Sequence, residues 1–155
     1  MPLSQLFAGR NFDLDAAHAQ LGRALAAEGL PWTPKDWTCD SRGAQELALW
    51  AETQAVTLHA ALYRAYWVGA VDLSDPAALA DVAVAEGMGR AEVDAAIAAH
   101  AGAAPVDAGW RRSRAAGVTA VPTYTAAGRV VVGAQPYELL VRLVTAAGAV
   151  PRLTH

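Results

Sequence analysis

The stretch at residues 117–137 constrains the fold most, because no other segment has a pattern of strand, turn and strand. Residues 118–125 are rich in β-branched and aromatic side chains, which favours a strand. A short turn follows, in which Gly128 can adopt a positive φ, and Arg129–Val132 then forms a second strand. Pro136 stands where the first turn of a helix tolerates proline. The sequence therefore predicts a β-hairpin followed by a helix.

The composition indicates one globular, helix-rich chain. Of the 155 residues, 54% are hydrophobic and 17% are charged, which argues against disorder. The net charge of −3 argues against a nucleic-acid partner. The N-terminus has no signal-peptide pattern, and no apolar run reaches spanning length without a charge. We therefore expect a cytoplasmic protein with no membrane partner.

The alanine-rich remainder of the chain predicts helices. Two prolines make residues 30–34 extended rather than helical. We expect Met88 and the five tryptophans to lie in the core. Apolar spacing, caps and glycine stops predict helices at residues 12–28, from 41 onward, and at 58–68, 76–86, 90–100, 105–116 and 137–147.

Residues suited to catalysis are few. The only cysteine, Cys39, excludes an internal disulfide and a thiolate zinc cluster, and the four histidines fit no metal-ligand spacing. We therefore predict no metal site. Cys39 precedes a helix whose dipole would favour the thiolate, so it is a candidate reactive thiol. The alternative is that Cys39 is a small, half-buried structural side chain.

Several segments carry a family resemblance. These are Gly-Val-Thr-Ala-Val-Pro-Thr-Tyr at 117–124, Gly-Ala-Gln-Pro at 133–136, and the helical segments at 40–51 and 62–75. Together they resemble the DsbA-like thioredoxin superfamily, in the branch of FrnE and 2-hydroxychromene-2-carboxylate isomerase.

The resemblance implies an α/β class and a single domain over residues 1–155 with a partial thioredoxin-like fold. Within it, residues about 40–104 would form a mostly helical insertion. Residues about 105–148 would form the C-terminal thioredoxin half, a β-hairpin and a helix.

The resemblance also implies a substrate site. Val121, Pro122, Thr123 and Gln135 would bind an extended peptide or protein thiol substrate, with a cis bond before Pro122 and pairing to the Val121 backbone. The family's N-terminal Cys-x-x-Cys half has no counterpart in this sequence. We therefore expect a relative of the protein thiol-disulfide oxidoreductases whose dithiol activity is lost, with Cys39 the one candidate thiol.

Two alternatives remain open. The chain could be a non-catalytic module that binds peptides or forms a homodimer through the hairpin edge, because an unpaired apolar strand edge favours association. It could also be a relative of the glutathione-dependent isomerases. Glutathione is the only cofactor that any of these readings implies.

Overall fold

The computed structural model describes residues 1–150 and has, in that part of the chain, eight helices and one two-stranded sheet. The mostly helical α/β architecture that the sequence predicts is confirmed. In chain order the elements are α1 (Leu3–Leu6), α2 (Leu14–Ala27), α3 (Arg42–Thr53), α4 (His59–Trp67), α5 (Pro76–Ala85), α6 (Arg90–Ala98), α7 (Ala103–Ala115), β1 (Thr123–Ala126), β2 (Arg129–Val132) and α8 (Tyr137–Ala146).

The chain divides into two compact units, the first spanning Met1–Asp107 and the second beginning at Ala108. In the first unit, α3, α5 and α6 pack around a core of leucine, alanine and valine. The largest fully buried side chains are Leu58, Leu79 and Val93, and burying a side chain of this size contributes about 1.5–3 kcal/mol. One face of α3 is apolar and buried, and its four members are Ala44, Leu47, Ala48 and Ala51.

Local capping explains where helices begin. The Asp75 carboxylate accepts the N–H of Ala77 at 2.9 Å, and Pro76 occupies the first turn of α5. The Asp13 carboxylate accepts the N–H of Ala16 at 2.9 Å, so α2 begins two residues later than predicted. The four-residue helix α1 was not predicted, because so short a segment shows no helical periodicity.

A close backbone contact joins α3 to the loop before α7. Gly102 is buried against the backbone of Glu46. A Cβ at this position would lie 2.6 Å from the carbonyl carbon of Glu46 and still closer to its carbonyl oxygen. The approach of these two segments therefore requires glycine at position 102.

The second unit contains the predicted hairpin and helix. β1 and β2 pair antiparallel, with Ala126 opposite Arg129. The turn residues Ala127 and Gly128 have φ values of 46° and 75°, so the expected positive φ at Gly128 is confirmed. β1 is shorter than the predicted 118–125 strand because it begins only after Pro122, which has no N–H to donate.

The prediction that every tryptophan lies in the core is wrong for Trp67 and Trp110, whose side chains are exposed. The indole ring is large, so tryptophan is seldom fully buried. Trp67 ends α4 and lines a surface groove. Among the described residues, no helix combines the length and the apolar character needed to cross a bilayer.

Candidate functional site

The four residues predicted to bind substrate lie together in the second unit. The carbonyl of Pro122 accepts the N–H of Gly133 at 2.8 Å, which holds the segment before β1 beside the segment after β2. The side-chain amide of Gln135 donates to the carbonyl of Val132 at 2.8 Å. Residues 121–123 and 133–136 therefore lie at the same, open end of the hairpin.

The segment entering β1 is held by a local turn. The hydroxyl of Thr123 donates to the carbonyl of Ala120 at 2.6 Å, across the Val121–Pro122 bond, which is cis. The Val121 side chain is 87% exposed. In the part of the chain that the structure describes, the backbone N–H and C=O of Val121 have no hydrogen-bond partner. The residue is therefore fully available to another molecule.

The backbone of β1 has unpaired groups along one side. Opposite residues of an antiparallel pair alternate between hydrogen-bonded and non-hydrogen-bonded positions. Pro122 is at a hydrogen-bonded position because its carbonyl accepts the N–H of Gly133. The next residue, Thr123, lies opposite Val132 and is therefore at a non-hydrogen-bonded position. Thr125, opposite Val130, is again at a non-hydrogen-bonded position. The N–H and C=O groups of both threonines therefore point away from β2, and with the Val121 backbone they form what we call the outer edge of β1.

The hairpin is also apolar and exposed on one face. Val130 and Val132 are 60% and 48% exposed. They lie opposite Thr125 and Thr123, so all four side chains share one face of the sheet. An unpaired edge that borders exposed β-branched side chains is a surface to which another strand can add.

Gln135 has a structural contact that the sequence did not indicate. Its side-chain N–H donates to the Val132 carbonyl, so that donor is engaged within the unit. The side-chain oxygen of Gln135 has no hydrogen-bond partner among the described residues. If Gln135 contacts a bound peptide, it can do so as an acceptor.

Cys39 belongs to the first unit and is half-buried against its core. Asp72 is its polar neighbour: the carboxylate accepts the hydroxyl and N–H of Ser74, at 2.6 and 2.9 Å. These two bonds hold the pKa of Asp72 below its usual value.

Lys35 is buried among aromatic rings of the first unit. Its ammonium lies 3.7 Å from the ring centroid of Tyr66 and 4.1 Å from that of Trp67. The ammonium has no hydrogen-bond partner among the described residues, so the cation–π contacts partly replace water. Burial lowers the pKa of Lys35, and a smaller electrostatic interaction with Cys39 acts in the opposite direction.

A second buried charge, Glu46, was also not predicted. Its side chain is 6% exposed, and its two oxygens contact Arg42 Nε and His100 Nδ1, each at 2.7 Å. Arg42 also pairs with Asp107 at 2.9 Å. Hydrogen bonds to Asp107 and Glu46, with the accompanying charge attraction, raise the pKa of the Arg42 guanidinium. The i,i+4 spacing of Arg42 and Glu46 was the one local signal for this network.

The geometry offers no grouped metal ligands within residues 1–150: no three His, Cys, Asp or Glu side chains converge there. The features that remain are an unpaired strand edge in the second unit and a single thiol in the first. Neither feature by itself identifies a reaction.

Comparisons with known proteins identify the family of this chain. Residues 7–145 match the family described as DSBA-like thioredoxin domain. A search of curated proteins returned no match. Among solved structures, a probable DsbA oxidoreductase from Streptomyces coelicolor is similar, with 29% identity and a TM-score of 0.76; the match covers 100% of this chain and 71% of that chain. The chain therefore belongs to the DsbA-like thioredoxin domain family.

Proposed function

We propose that this chain is a DsbA-like oxidoreductase relative that binds an extended polypeptide along the outer edge of β1. We further propose that it has no dithiol-exchange activity of its own. The observation that supports the binding role is the outward-pointing backbone of Thr123 and Thr125, next to the exposed and unpaired Val121. The family and the solved relative support the oxidoreductase ancestry.

The binding mode follows from strand geometry. An extended peptide adds to a sheet by exchanging backbone hydrogen bonds with an open edge, and alternate side chains then contact the faces of the sheet. Along the outer edge of β1, Thr123 and Thr125 each offer one donor and one acceptor. Val121, before the cis bond, has a further unpaired N–H and C=O next to this edge. The proposed ligand is therefore recognised mainly through its backbone.

The loss of dithiol activity follows from the chemistry of exchange. A thiolate attacks a disulfide and forms a mixed disulfide, which a second thiol must then resolve. Cys39 is the only cysteine of this chain, so the second step has no internal thiol. We expect no turnover in an insulin-reduction assay and the same result for Cys39→Ser. Turnover that Cys39→Ser abolishes would contradict this part of the proposal.

The binding role is tested by the variant Thr125→Pro. Proline removes the outward N–H of Thr125 but no hydrogen bond to β2, since this residue is at a non-hydrogen-bonded position. Losing one backbone hydrogen bond costs about 1 kcal/mol net, so affinity should fall roughly fivefold. The probe is a fluorescein-labelled peptide of alternating valine and threonine, with binding followed by anisotropy. Thr125→Val keeps the N–H and the side-chain shape, and should bind like the wild type.

The outcomes separate the possible ligands. Equal affinity of Thr125→Pro, Thr125→Val and the wild type would show that the peptide does not use this edge. Sedimentation of the free chain tests whether a second copy occupies the edge. A wild-type dimer that becomes monomeric in Thr125→Pro would identify the homodimer as the extended partner.

A further inference from the structure

An apolar groove lies on the first unit, away from the core, between α2 and α4. Its volume is about 490 Å³, which falls within the range of small-molecule sites, about 300–1,000 Å³. Leu21 and Leu25 of α2 form one wall and Trp67 of α4 forms the other, while Leu30 and Trp32 lie in the extended segment that follows α2. The groove is thus built from residues of one compact unit.

The groove exposes more apolar surface than the fold requires. Leu30 is 54% exposed, and α2 has no buried residue along its whole length. Leu21 and Leu25 are only half-buried although they are one helical turn apart on the same face. Contiguous exposed apolar surface of this kind marks binding sites in soluble proteins.

Among the residues that the structure describes, one charged side chain, Arg64, lines the groove, and no carboxylate does. The guanidinium of Arg64 has no hydrogen bond or ion pair with any residue that the structure describes. Arg64 is exposed, so water solvates it when the groove is empty. A ligand with one anionic group could pair with it without displacing a protein partner.

We propose that this groove binds a monocarboxylic acid with a long, unbranched apolar chain. The chain lies against Leu21, Leu25 and Trp67, and the carboxylate pairs with the Arg64 guanidinium. An apolar wall disfavours ligands with several polar groups, because each would lose its hydration without a partner. Arginine presents paired N–H donors that match both oxygens of a carboxylate. This site is independent of the outer edge of β1, and its test does not depend on the proposed function.

The test is a titration of the full chain with sodium dodecanoate below its micelle concentration, followed by calorimetry and tryptophan fluorescence. Arg64→Met keeps an unbranched apolar stem and removes the charge. Since Arg64 is at an exposed rim, its pairing energy is that of a surface ion pair, and the affinity for dodecanoate should fall roughly fivefold. Arg23→Met, on an exposed residue of α2 that does not line the groove, is the matched control and should leave binding unchanged.

A second ligand separates the role of the charge from that of the apolar wall. Methyl dodecanoate has no carboxylate, so it should bind the wild type and Arg64→Met equally. Leu25→Glu places a carboxylate in the wall and should abolish dodecanoate binding while circular dichroism remains helical. The proposal fails if dodecanoate does not bind saturably, if Arg64→Met and Arg23→Met behave alike, or if Leu25→Glu binds normally. Binding only to an acidic amphipathic peptide would also overturn it.

Discussion

Replacing Gly102 by alanine should destabilise the first unit severely. The new Cβ would lie 2.6 Å from the Glu46 carbonyl carbon and 2.8 Å from its Cα, and closer still to the carbonyl oxygen. All three atoms belong to the backbone of α3, so no side-chain rotation relieves the overlap. Either α3 or the loop before α7 must move away by more than an ångström.

The size of the effect follows from what that movement disturbs. On the buried face of α3, Leu47 and Ala51 pack into the core of the first unit. Overpacking in a well-packed core costs about 1–3 kcal/mol, and the displaced helix also loses contacts. We expect the free energy of unfolding to fall by about 3 kcal/mol, near the upper end of the range for overpacking. For a chain of this length, that lowers Tm by roughly 6–12 °C.

The assay is urea unfolding followed by circular dichroism, with Gly43→Ala as the matched control. Gly43 lies in α3, and a Cβ there would be 3.6 Å from a methyl group of Leu79, an ordinary contact. Alanine should therefore be neutral or stabilise the helix by about 0.5–1 kcal/mol. Equal stability of Gly102→Ala and the wild type would refute the close approach of α3 and the α7 loop.

Two further substitutions test the buried charges. Glu46→Gln removes the carboxylate that Arg42 and His100 share. The free energy of unfolding in urea should fall by about 1.5–3 kcal/mol, the range for hydrogen bonds to charged groups, because water can solvate both partners that are left. No loss would contradict the network. Lys35→Met tests the direction in which the Lys35 pKa is shifted, since burial lowers this pKa from 10.5. Between the lowered pKa of the folded state and 10.5, the unfolded chain binds more protons than the folded chain. The stability of the wild type, relative to Lys35→Met, should therefore rise as the pH increases through this window. A difference in stability that stays constant or falls with pH would contradict the lowered pKa.

Local patterns predicted the hairpin well. Gly128 supplies the positive φ of its turn, and the β-branched run of β2 begins and ends as the sequence predicts. Pro122 lies opposite Gly133 because a two-residue turn fixes the register of the strands, and this register brings Gln135 to the same end of the hairpin. The peptide-binding role of these residues and the loss of dithiol activity stay predictions.

Contacts between distant segments could not be predicted. Glu46 and His100 are 54 positions apart, and nothing local indicates that a helix and a loop bring them within 2.7 Å. The aromatic surroundings of Lys35 likewise depend on how α4 packs against an extended segment. The sequence shows the residue types, but only the packing determines which charge loses its water.

Amide hydrogen exchange can detect, residue by residue, whether an extended polypeptide pairs with the outer edge of β1. Thr123 and Thr125 have outward-pointing N–H groups, whereas the N–H of Tyr124 bonds to β2. With the valine–threonine peptide added at saturation, exchange at Thr123 and Thr125 should slow at least about tenfold, and exchange at Tyr124 should change little. Unchanged exchange at both threonines, under conditions where the peptide is bound, would show that the peptide does not pair with this edge.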